Sequence, residues 1–112
     1  MTLVVDASTV VAALVNDAAA GEWALALLAT ESLVAPHHMP IEAVGVLRRA
    51  AAAGDLSHAG ASSAHRHLVS LPVEMFPYAP LAPRVWELRR NVTPYDAWYV
   101  ALAESLDAPL AT

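Results

Sequence analysis

Short apolar runs recur along the chain with helix-length stretches between them. They are TLVV at Thr2–Val5, SLVA at Ser32–Ala35, PVEMF at Pro72–Phe76 and PLAT at Pro109–Thr112. Strands spaced so far apart need crossover connections rather than tight hairpins, which makes them parallel neighbours in one sheet with helices on both faces. The expected fold class is therefore α/β, a parallel sheet sandwiched between helices.

The stretches between the runs read as those helices. Ser8–Val15 carries Val10, Val11 and Leu14 in step, and Ala18–Thr30 places Trp23 and Leu27 four residues apart. The segment HHMPIEAVGVLRRAAAAG has Pro40 in its first turn, Ile41, Val44 and Leu47 on one face, arginines late and Gly54 as its stop. Ser57–Leu71 is a weakly amphipathic helix. Leu81, Val85 and Leu88 mark another that ends near Asn91, and Pro94–Leu106 forms the last, with Tyr95, Trp98, Leu102 and Leu106 as its expected buried face.

With 112 residues the chain has room for one core and not two. Its hydrophobic fraction of 57% is inflated by alanine, which favours helix and adds little buried area. No run approaches the roughly 18 apolar residues of a membrane span, and MTLVVDAS lacks a basic region ahead of an apolar core. A soluble, cytoplasmic protein is expected. Having no cysteine, the chain has neither disulfides nor a thiolate nucleophile or zinc ligand. All six basic residues are arginine and the net charge is −5, so nucleic acid is not drawn in by a general positive field. Contact with it requires a local arginine or a bound cation.

Three acids stand at strand ends or helix starts, where binding sites collect in a parallel sheet: Asp6, Glu42 and Asp96. Each also has a plain structural use. Asp6 can cap the helix that follows, Glu42 can complement a helix dipole, and Asp96 lies three residues after Thr93 in a near-match to the capping box. Capping leaves two details unexplained: Gly45, one turn beyond Glu42, keeps that face open, and aromatic residues flank Asp96. Three carboxylates without a neighbouring sulfur form a hard oxygen site, suited to Mg2+ or Mn2+ and to hydrolysis of a phosphodiester. The five histidines are expected at the surface or in caps. Even His58 and His65, on one face, stand two turns apart and too far for one ion.

VVDAS at the start, PIEAVGVLRR in the middle and YDAWYVALAESLDAPLAT at the end resemble the PIN-domain ribonucleases, in particular the VapC-type toxins of toxin–antitoxin pairs. The resemblance runs over nearly the whole chain. It implies metal ligation by Asp6, Glu42 and Asp96, which are the catalytic residues, with supporting hydroxyls from Ser8 and Thr112. It also implies an RNA substrate, a VapB-type antitoxin, a homodimer and no membrane. Similar proteins continue past Leu-Ala-Thr to a fourth acid, so residues 1–112 read as a single PIN-like domain shortened at its C-terminal edge.

Two other readings compete with the metal-dependent endoribonuclease toxin. One is a catalytically weakened PIN-like module that binds RNA or antitoxin without turnover. The other, a phosphoacceptor receiver domain, needs a late lysine, and the chain has none. Arg89 and Arg90 stand as phosphate contacts or, more simply, as a solvated helix end.

Overall fold

The computed structural model describes residues 1–15, 24, 26, 28–29 and 31–112. Four parallel strands form one sheet in the order β3-β2-β1-β4: β1 Thr2–Val5, β2 Ser32–Pro36, β3 Val73–Phe76 and β4 Leu110–Ala111. Val4 is the hub of the register, opposite Val34 on one side and Leu110 on the other. β1 and β2 are buried along almost their whole length, as the unbroken apolar runs require of strands covered on both faces.

The helices are α1 Ala7–Val15, α2 Met39–Ala52, α3 His58–Ser70, α4 Ala82–Glu87 and α5 Pro94–Leu106. Local chemistry sets their ends. Ser57 Oγ accepts from Gly60 N at 3.0 Å to start α3, and Gly54 takes a φ of 82° just beyond α2, where a side chain would be strained. Thr93 Oγ1 accepts from Asp96 N at 3.2 Å at the head of α5. The helix expected over Ala18–Thr30, with Trp23 and Leu27, lies largely outside the described residues.

The main core joins Val4, Val5 and Val10 to Met39, Leu47, Leu68 and Leu102, while a smaller cluster of Val85, Ala97 and Ala101 attaches α4 to α5. Two helix faces differ from the sequence expectation. On α2 the buried stripe is Met39, Ala43 and Leu47, and Ile41 is 72% exposed. On α5 it is Ala97, Tyr99, Ala101 and Leu102, leaving Tyr95 60% exposed. Leu47 and Leu102 are buried as expected, but the rest of each stripe is rotated from the expected one: Met39 and Ala43 replace Ile41 on α2, and Ala97, Tyr99 and Ala101 replace Tyr95 on α5. Among the described residues, no helix is long and apolar enough to cross a membrane.

Candidate active site

Because the strands are parallel, their C-terminal ends lie at one edge, and β1, β2 and β4 each lead to a group there. β1 runs directly into Asp6, whose main-chain N–H is tied to Ala111 O of β4 at 3.2 Å. β2 ends at Pro36, and after His37 and His38 the chain enters α2 with Glu42 in its first turn. β4 leads into Thr112. α5 returns with Asp96 in its own first turn.

Asp6, Ser8, Glu42, Gly45, Arg49, Asp96 and Tyr99 line one cleft of about 390 Å³. A smaller adjoining hollow is shared by Asp6, Asp96, Tyr99 and Thr112. The three acids singled out in the sequence therefore meet, and both expected hydroxyls stand at the same place. Among the described residues, no three Asp, Glu or His groups stand close enough together to hold one metal ion. The donor set is nonetheless all oxygen and opens on a cleft with room for water. That suits a hard cation such as magnesium, which keeps several waters and takes only one or two carboxylates directly.

The acids differ in how they are held. Asp6 Oδ1 accepts from Ser8 Oγ at 2.8 Å and from Thr9 N at 2.9 Å, so Asp6 is the cap of α1 as well as a wall of the cleft. Ser8 acts on Asp6 rather than on the cleft at large. Glu42 Oε1 accepts from the hydroxyl of Tyr99 at 2.9 Å, a bond joining α2 to α5 across 57 residues of sequence. Burial, reinforced by the bond to Glu42 and the charges of Glu42 and Asp6, pushes the Tyr99 phenol well above the usual tyrosine range. It remains a donor at any physiological pH.

His38 approaches the same oxygen, with Nε2 at 2.9 Å from Glu42 Oε1. The contact is out of line for a hydrogen bond, and both ring nitrogens are buried without an aligned partner among the described residues. The ring stacks on Trp98 with centroids 4.6 Å apart and tilts against Tyr95 and Tyr99. Burial lowers the His38 pKa from its ordinary value, against the opposing pull of Glu42 and Asp96, so the imidazole is neutral at pH 7.

Sequence reasoning passed over four residues here. His38 was grouped with the surface histidines, although it sits one turn before Glu42 on the same helix face. Tyr99 stands three residues after Asp96, again one turn away, and that spacing was the available signal. Arg49 was read only as a helix-end charge. Thr9 is 3% exposed and donates from Oγ1 to Ala111 O at 3.1 Å, binding α1 to β4 behind the site. Of the arginines assigned to phosphate, Arg89 lies with its guanidinium 4.4 Å over the Trp86 ring and donates to Trp86 O at 2.9 Å. Neither it nor Arg90 lines the cleft.

Residues 3–112 match the family model of the PIN domain. The chain belongs to the PIN-domain family. This PIN domain is 42% identical over 110 residues to the VapC ribonuclease Mb0985 of Mycobacterium bovis, an alignment that covers 98% of the chain and 84% of that protein. It is also 42% identical to ribonuclease VapC1 of Mycobacterium tuberculosis, over 97% of the chain and 83% of the relative. Its fold matches the crystal structure of Mycobacterium tuberculosis VapC20, a sarcin-ricin loop cleaving toxin, with a TM-score of 0.71 and 21% identity, covering 95% of this chain and 84% of that one. The parallel α/β architecture expected from the alternating runs is thus the PIN fold, in its VapC-type form.

Proposed function

We propose that this PIN domain is a metal-dependent endoribonuclease of the VapC type, with Asp6, Glu42 and Asp96 as the residues that hold Mg2+ or Mn2+. The observation that carries the reading is the convergence of three carboxylates, drawn from the end of β1, the start of α2 and the start of α5, on one cleft. Its VapC relatives are named ribonucleases, which supports RNA as the substrate. A divalent cation at such a site supplies a polarised water and neutralises charge at the phosphate.

The chain's own residues do the positioning. Asp6 is fixed by Ser8 and the α1 backbone, and Glu42 by Tyr99, so each has one oxygen held and a second with no hydrogen-bond donor among the described residues. Asp96 contributes from the opposite wall. The Ser8 hydroxyl serves by donating to Asp6, and Thr112 lines the adjoining hollow. A VapB-type antitoxin and a second copy of the chain are the partners in this reading, and the cytoplasm is its place of action.

Purified protein incubated with RNA and Mg2+ should cleave it, stop when EDTA is added, and lose activity in Asp96→Asn. Undiminished cleavage by that variant would remove Asp96 from the site. If parent and variant both bind RNA and neither cleaves it under any divalent metal, the protein is a binding module without turnover.

A further inference from the structure

We propose that Arg49 is a second phosphate-binding point, taking the phosphate next to the one at the three carboxylates, so that the RNA strand lies along α2 from Glu42 toward Arg49. This rests on the reading of the cleft as an RNA site.

Glu42, Gly45 and Arg49 lie along one face of α2 and line the same cleft as Asp6 and Asp96. Side chains on a helix lean toward its N-terminus, which here means toward the acids. Arg49 does so: a Cβ built on Gly45 would stand 3.4 Å from its Nη1. The guanidinium therefore rests over Gly45, about one helical turn from Glu42. Gly45 puts no side chain between the guanidinium and the helix backbone.

Its charge is uncommitted. The Arg49 side chain makes no ion pair or hydrogen bond among the described residues, although three carboxylates share its cleft. Arg84, by contrast, is held by Glu104 and Glu87, and Arg89 by Trp86. Arg48 and Arg66 line a separate groove between α2 and α3. Among the described residues, Arg49 is the cation that faces the acids.

A chain of net charge −5 whose cleft carries three acids repels a polyanion, and one phosphate at a metal does not hold a strand. A guanidinium beside the acids offsets the repulsion at the neighbouring phosphate, and its planar fork matches phosphate oxygens two at a time. Ile41, exposed on the same wall, gives an apolar surface to the sugar or base between the two phosphates. A backbone contact of this kind sets position along the strand and carries no sequence preference.

The test is binding of a fluorescein-labelled single-stranded oligoribonucleotide of mixed sequence to the full chain in Mg2+, in an Asp96→Asn background that halts cleavage. Adding Arg49→Gln should weaken binding equally for several sequences and reduce the slope of log K against log salt by about 0.7, the value for one lost phosphate contact on a single strand. Arg49→Lys should recover that slope. The melting temperature, and its rise with Mn2+, should match the background, since the side chain is exposed and is not a metal ligand. Equal affinity and slope with and without the arginine, or no measurable binding, overturns the proposal. If the parent never cleaves RNA yet Arg49→Gln still loses the slope, the nuclease reading fails and the phosphate point stands.

Discussion

The two walls of the cleft are built differently. On the wall made by the end of β1 and the start of α2, each carboxylate has one oxygen anchored: Asp6 by Ser8 and Thr9 N, Glu42 by Tyr99. On the wall made by α5, Asp96 is exposed. Thr93 accepts from its main-chain N–H, and its carboxylate accepts no hydrogen bond among the described residues. One wall is ordered by the protein, whereas the other has a fixed backbone and a free carboxylate. Anchoring one oxygen of a carboxylate leaves the other aimed; leaving both free lets the group adapt to whatever arrives. A cation entering the cleft would find two oxygens in place and would draw the third ligand to itself.

The largest test of this contrast concerns Asp6, which is both cap and proposed ligand. Asp6→Asn keeps an oxygen for Thr9 N, so in EDTA the variant should melt near the parent or above it, because removing one of three like charges relieves repulsion. With Mn2+ at a hundred times its dissociation constant, the parent should gain about 2.7 kcal/mol and the variant much less. Differential scanning calorimetry with and without the ion decides it. Equal gains would leave Asp6 as a helix cap only.

Tyr99→Phe and Thr93→Ala separate the walls next. Each removes one hydrogen bond worth about 1 kcal/mol of stability, so urea midpoints should fall alike. Only Tyr99→Phe frees Glu42, and only that variant should lose Mn2+ affinity in an ion titration followed by melting temperature. Comparable metal affinity in both would mean that the Tyr99–Glu42 bond is structural.

The overall fold and the convergence of Asp6, Glu42 and Asp96 on one cleft were legible in the sequence for a simple physical reason. Alternating strands and helices force a parallel sheet, and a parallel sheet gathers strand ends at one edge. What supports the acids was not legible. Tyr99 reaches Glu42 across 57 residues, and His38 is enclosed by rings from a helix that begins with Pro94. Neither pairing leaves a local trace. The buried faces of α2 and α5 were only partly legible: Leu47 and Leu102 point inward as expected, while Ile41 and Tyr95 are exposed and Ala43, Ala97 and Ala101 take inward positions, since alanine carries little hydrophobic signal in a sequence. For Arg89 the sequence left a phosphate contact and a solvated helix end both open, and its partner proves to be the ring of Trp86, three residues upstream.

Gly45→Ala offers a smaller effect with opposed signs. Gly45 lies inside α2, so alanine should raise stability by about 0.5–1 kcal/mol. The added methyl would stand 3.4 Å from Arg49 Nη1, in ordinary contact, and narrows the range of positions open to that guanidinium in the cleft. Cleavage should fall while the melting temperature rises; a variant both more stable and fully active would show that the open face has no part in the reaction.

The smallest effect is in the pH dependence of stability. His38 titrates lower in the folded protein than in the unfolded chain, so the unfolded state takes up its proton first as pH falls. The stability this neutral imidazole contributes is present above pH ~6.5 and is lost as pH drops below the unfolded value toward the folded one. His38→Phe keeps the stacking on Trp98 and removes the proton, so its stability should decline less than the parent's between pH 7 and 5, measured by urea midpoints at each pH. Parallel declines would place the acid sensitivity elsewhere.

The hydrogen bonds from Thr9 Oγ1 and Asp6 N to Ala111 O join positions near opposite ends of the chain. During synthesis at about 5–20 residues per second, the carbonyl that fixes Asp6 is made roughly 5 to 20 s after Asp6 itself. Until then β1 lacks its β4 neighbour and the first carboxylate lacks its final backbone anchor. Contacts of such long sequence separation form late in any case, since the loop must close before they contribute. A nascent chain on the ribosome thus carries Asp6 and Glu42 seconds before it carries the β4 carbonyl that anchors the first of them, and the cleft takes its final form only after Ala111 has been made.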